Sequence, residues 1–98
     1  MVRINWTSQA KDDLKSIAEY LANDSVRYAK LQVVKIRIRT KILKSQIRLG
    51  KIVTEMGAEN IRELIEGNYR IIYKIVSENQ IDILTIHHSA RDLKRRSI

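Results

Sequence analysis

The sequence predicts an α+β fold: an N-terminal strand, a two-helix hairpin, then a three-stranded antiparallel meander, with the hairpin packed on one face of the sheet. Three observations lead there. Apolar residues alternate over the first six positions, they recur at helical spacing from about residue 8 to residue 49, and three β-branched runs separated by turn residues follow. A length of 98 residues fits a single domain spanning 1–98.

In residues 1–6, Val2, Ile4 and Trp6 alternate with Arg3 and Asn5, the pattern of a strand with one buried face. Thr7 and Ser8 offer N-cap hydroxyls, and Asp12 and Asp13 are placed to favour the positive end of a helix dipole. Ala10, Leu14, Ile17, Ala18 and Leu21 form one apolar stripe, so a helix is expected over 8–22. Asn23, Asp24 and Ser25 make a turn, with Asp24 or Ser25 capping a second helix over 25–49. That helix carries two apolar stripes on roughly opposite sides. Ala29, Val33, Ile36, Leu43 and Ile47 form one; Leu31, Val34, Ile38, Ile42 and Leu49 form the other. The first suits a sheet, and the second suits either the first helix or a partner. Gly50 reads as a helix C-cap and 51–60 as a loop. The strands are expected at 61–66, 69–76 and 81–87, with Gly67 and Asn68 in the first turn. Along the middle strand Tyr69, Ile71, Tyr73 and Ile75 share one face. Arg70, Ile72, Lys74 and Val76 share the other, which the fold should leave uncovered. The basic tail, 89–98, is expected as a short helix or a disordered arm.

The net charge is +8, with 19 Lys and Arg against 11 Asp and Glu. Such a surplus favours nucleic acid, an acidic protein or an anionic surface. Between Ser25 and Thr54 lie nine basic residues and no acidic one, more bias than solubility requires. Arg37, Lys41, Lys44 and Arg48 fall on one helix edge there, candidates for contact with a partner or a target. Cysteine is absent, which excludes a disulfide framework, a thiolate zinc site and a thiol nucleophile. No apolar run is long enough to span a membrane. The first residues lack the apolar stretch of a signal peptide. A cytoplasmic protein with no membrane partner is therefore expected.

The pieces Ile4-Asn5-Trp6-Thr7 with Asp13-Leu14 and Tyr20-Leu21, then Ile61-Arg62-Glu63-Leu64, Tyr69-Arg70-Ile71-Ile72-Tyr73, and Ile83-Leu84-Thr85-Ile86-His87-His88 with Arg91-Asp92 together resemble the RelE/ParE toxins of type II toxin–antitoxin (plasmid stabilisation) systems. The resemblance covers nearly the whole chain. It implies a growth-inhibiting toxin held inactive by an acidic, partly disordered antitoxin in a hetero-oligomer. It also implies one of two targets: DNA gyrase, inhibited without catalysis, or messenger RNA on the ribosome, cleaved without metal or other cofactor.

Metal-free RNA cleavage needs a base, an acid and cations around the phosphate. By resemblance, Arg70 matches the strand arginine of the RelE-like enzymes and Arg91 their second arginine. His88 could serve as acid–base and Glu63 as base. The match is incomplete: Ile61 and Glu63 stand where RelE has lysines, and no tyrosine follows Tyr73. These departures favour the ParE-like branch, with the RelE-like endonuclease as the alternative. Arg62, Lys74, Arg95 and Arg96 are further candidates for binding target or antitoxin. Simpler readings stand beside these. Arg62 and Glu63 fit as solvated strand residues, Tyr69 and Tyr73 as packing, and the basic helix edge as a solvated face. Adjacent His87 and His88 point to opposite faces of a strand and cannot share a metal. A plain nucleic-acid-binding module is a third reading, disfavoured by the shortage of aromatic platforms.

Overall fold

The computed structural model describes residues 1–90 and 93. The elements run β1 (Arg3–Trp6), α1 (Ser8–Ala22), α2 (Val26–Lys41), a 3-10 turn (Ile42–Lys44), β2 (Lys51–Ile52), a second 3-10 turn (Thr54–Met56), β3 (Ile61–Glu66), β4 (Tyr69–Ser77) and β5 (Gln80–His88). The expected α+β class is found: N-terminal strand, helical hairpin, antiparallel meander. The strands form one sheet in the order β1-β5-β4-β3-β2. Every pairing is antiparallel except that of β1 with β5, which is parallel.

Both helices start where side chains satisfy free backbone N–H groups. The Thr7 hydroxyl accepts from the Ala10 N–H, and the Ser25 hydroxyl accepts from the Tyr28 N–H. Asp13 does not act on the helix dipole of the first turn. Its carboxylate accepts the Thr85 hydroxyl and the Ile86 N–H. β1 pairs with β5 only as far as Ile83, so Asp13 satisfies a strand-edge donor that β1 no longer reaches.

The helices bury one stripe each on the sheet. Ala10, Leu14, Ile36 and Leu43 join Leu64, Ile71, Tyr73, Ile75, Ile81, Ile83 and Ile86 in the main core. The second helix is shorter than expected. It ends at Lys41, and the 3-10 turn carries Leu43 into the core. The second stripe does not meet α1: Leu31, Val34 and Ile38 face outward, Ile38 at 60% exposure.

Gly50 is not a helix cap. It lies where the chain crosses the sheet, and a Cβ there would come within 2.6 Å of the Glu63 carbonyl and 2.7 Å of the Tyr73 ring. Its N–H donates to the Tyr73 hydroxyl, which donates to the Ile47 carbonyl, both at 2.9 Å. The expected loop over 51–60 holds a short strand and a 3-10 turn, closed by Gly57 at φ +63°.

The far face of the sheet is only partly open. Val53, Ile72 and Leu93 form a second buried cluster, with Met56, Ile61 and Leu84 against it. Among the described residues no helix is long and apolar enough to cross a membrane.

Two substitutions test the Gly50 crossing by urea denaturation. Tyr73→Phe strands a buried N–H and should cost about 2 kcal/mol. Gly50→Ala forces strand or ring to move and should cost about 3 kcal/mol. Gly57→Ala, with open space around it but a left-handed backbone, should cost only about 1 kcal/mol.

Candidate functional site

The alternation of β4 places Arg70 on the far face, beside Ile65 of β3 and His87 of β5. There it was expected to stand uncovered. It does not: its side chain is 12% exposed and lies between two carboxylates of its own chain. Nη1 and Nη2 donate to Glu55 at 2.9 and 3.1 Å, a fork that matches both carboxylate oxygens. Nε donates to Glu63 at 3.2 Å, and Nη2 also bonds Glu63. Glu63, on β3, is 5% exposed; Glu55 belongs to the Thr54–Met56 turn.

The pairing sets the electrostatics. The hydrogen bonds from Arg70 hold the Glu55 carboxyl at about 2, well below its usual 4.5. The two carboxylates raise Arg70 beyond its ordinary range. The three charges sum to −1. Lys51, which lines the same cleft of about 310 Å³ with Thr54 and Ser89, brings the site to neutrality. A phosphate arriving there would meet carboxylates already occupying the guanidinium.

The other candidates separate. His88 faces the helix side, its ring edge-on to Tyr69 at 5.5 Å, and its Nδ1 accepts from the Ala90 N–H. It lines a different cleft with Asp13, Ser16 and Tyr20. The reason is a bulge in β5. Ile72 pairs with Thr85 and Tyr73 with Ile83, so Leu84 is the extra residue and the strand changes face there. His87, buried and in register with Arg70, is the histidine on the arginine's side. The RelE-like constellation of Arg70, Glu63 and His88 is thus not assembled. Arg91, Arg95 and Arg96 lie outside the described residues.

Arg62 is engaged with its own backbone. Its Nη1 donates to the carbonyls of Arg48 and Gly50, and its Nε to that of Glu59. Arg48 pairs with Glu78 at 3.1 Å. Lys74 is exposed, opposite Asp82. Arg37 lies 5.3 Å above the Trp6 ring, and with Trp6, Ile4, Thr40, Lys41 and Lys44 it lines a cleft of about 320 Å³. Sequence reasoning missed Glu55 and His87. Glu55 sits in a segment without periodicity, and the bulge that turns His87 inward has no signature of its own in the residues. Among the described residues no group of three or more His, Cys, Asp or Glu is placed to hold a metal ion.

Arg70→Met removes the cation between two carboxylates. It should cost about 3 kcal/mol in urea at neutral pH. The pH profile identifies the cause. A depressed carboxyl pKa contributes stability above its unfolded value near 4.5, lost as pH falls towards about 2. The wild type should therefore lose stability over that acid window. In Arg70→Met that loss shrinks, and acidification from about pH 7 to 5 should stabilise the variant relative to the wild type, because protonation relieves the unpaired carboxylates.

A family model described as "ParE toxin of type II toxin-antitoxin system, parDE" matches residues 4–93. Among solved structures, a chain described as "Chromosomal ParDE TA system from P. aeruginosa" is similar in fold. The TM-score is 0.72 at 23% identity, over 90% of this chain and 96% of that one. No curated protein sequence matches the chain. With nearly its full length matched, the chain belongs to the ParE toxin family of type II toxin–antitoxin systems.

Proposed function

We propose that the protein is a growth-inhibiting toxin of the ParE branch, acting as a binding inhibitor of DNA gyrase and neutralised by an acidic antitoxin. One observation carries the choice of branch: Arg70 is already held by Glu55 and Glu63. A metal-free ribonuclease needs that guanidinium free for the phosphorane, and a general base that is not itself tied to the arginine. Neither condition is met, and His88 lies on the opposite face of the sheet from Arg70. The solved ParDE relative supports an antitoxin partner.

The antitoxin's docking face, in this reading, is the outward side of α2. Leu31, Val34 and Ile38 are exposed at positions i, i+3 and i+7, the spacing that receives the apolar face of an amphipathic helix. Lys30 and Lys35 beside them are exposed and suit acidic flanks on the incoming segment. A segment that folds on docking would form a toxin–antitoxin hetero-oligomer.

Purified toxin should stop supercoiling by gyrase while leaving messenger RNA intact in a translating extract. Codon-positioned cleavage with unaffected supercoiling would establish the RelE-like alternative instead. For the docking face, Leu31→Glu or Ile38→Glu should weaken antitoxin binding by about 30-fold or more, as for a central apolar anchor. Both positions are exposed, so the circular dichroism spectrum and urea midpoint of the free toxin should stay as in the wild type.

A further inference from the structure

We infer that the cleft between β1 and the C-terminal end of α2 is a binding site for single-stranded nucleic acid, built from Trp6, Arg37, Lys41 and Lys44. The inference does not depend on the gyrase reading. It rests on the chemistry of the cleft, where, among the described residues, a cation lies over an aromatic ring beside two further cations.

The cations of this cleft are available. Arg70 is clamped by carboxylates, Arg62 by backbone carbonyls, and Arg48 by Glu78. Arg37, Lys41 and Lys44 make no ion pair among the described residues, and no carboxylate lines their cleft. Arg37 and Lys41 stand about 6 Å apart along the helix axis, close enough to serve neighbouring phosphates of one strand. The negative end of the α2 dipole favours cations in the last turn. That accounts for Lys41, but it does not bring Arg37 over an indole.

The cation–π pair distinguishes a nucleic acid from an acidic peptide. The Arg37 guanidinium, 5.3 Å from the Trp6 ring centroid, and the indole are delocalised groups next to two ammonium groups. Nucleobases stack on such groups, and their strand supplies the phosphates for the lysines. An acidic peptide has no use for the indole. The apolar stripe that a protein partner needs, Leu31, Val34 and Ile38, runs along a separate face of α2. Trp6 and Arg37 together provide the aromatic platform whose scarcity disfavoured nucleic-acid binding at the level of the sequence.

Trp6 is the chain's single tryptophan, so its emission reports on this cleft alone. The full chain is titrated with an oligothymidylate of about 12 nucleotides across a salt series, following tryptophan emission and the anisotropy of a labelled strand. Binding should quench Trp6. Lys41→Gln/Lys44→Gln should weaken binding about tenfold and lower the log–log salt slope by about 1.4, two released counterions on a single strand. Lys11→Gln/Lys15→Gln, exposed lysines of α1 with the same charge change, should leave the slope and the quench unchanged. Arg37→Lys keeps the charge and loses the planar guanidinium beside Trp6, so it should weaken binding without altering the slope. Three results overturn the inference: no binding, equal losses in the two double variants, or displacement by oligoglutamate as effective as by a strand of equal charge. The second would mean a diffuse response to net charge, and the third a site for acidic polypeptide.

Discussion

A guanidinium fixed between two carboxylates of its own chain organises the far face of the sheet. Arg70 ties the Thr54–Met56 turn, through Glu55, to two strands already paired with each other: β4 through its backbone and β3 through Glu63. Holding that turn against the sheet also sets Val53 over Ile72, where the second apolar cluster forms. The three charges are affordable in a nearly dry position because each offsets another and the geometry is bidentate. An isolated arginine at 12% exposure would be costly. The interaction therefore makes the far face a structural surface first, and it removes the chain's best-placed cation from use on a ligand.

How much of this could be read from the residues divides along physical lines. Elements announced by periodicity or capping chemistry were legible: α1 from its stripe and Thr7, the core side of α2 from Ala29, Ile36 and Leu43, and the far-face position of Arg70 from alternation. What depended on non-local pairing was not. Glu55 reaches Arg70 across 15 positions of chain from a segment with no repeat. The two-residue β2 exists only because β3 lies beside it. The histidines show the same limit more sharply. Strict alternation assigns each a face, and a single extra residue at Leu84 exchanges the faces. Leu43 and Ile47 continue the apolar spacing of the second helix, so the pattern runs past its true end at Lys41, where the chain turns away at Ile42–Lys44.

The surplus of +8 is consequently distributed unevenly in its effect. On the sheet, Arg62 and Arg70 are held by carbonyls and carboxylates. Along α2, Arg39 donates to the Ile65 carbonyl, while Arg37 and Lys41 enter no ion pair among the described residues; these two lie between an apolar stripe and an indole. A uniformly basic surface would attract any anion. This arrangement separates two kinds of contact on one helix, one suited to burying apolar side chains and one to stacking and phosphate.

The parallel pairing of β1 with β5 has a bearing on synthesis. Arg3 and Gln80 are register partners, as are Trp6 and Ile83, so the first strand must wait for the last before it has a neighbour. Contacts of such long sequence separation close late, and chains emerge from the ribosome N-terminus first. Both walls of the Trp6 cleft are made early, yet β1 has no partner strand until β5 is released. A nascent chain of this protein is thus an incomplete object through most of its translation, giving a binding partner time to reach the exposed helical hairpin before the domain closes.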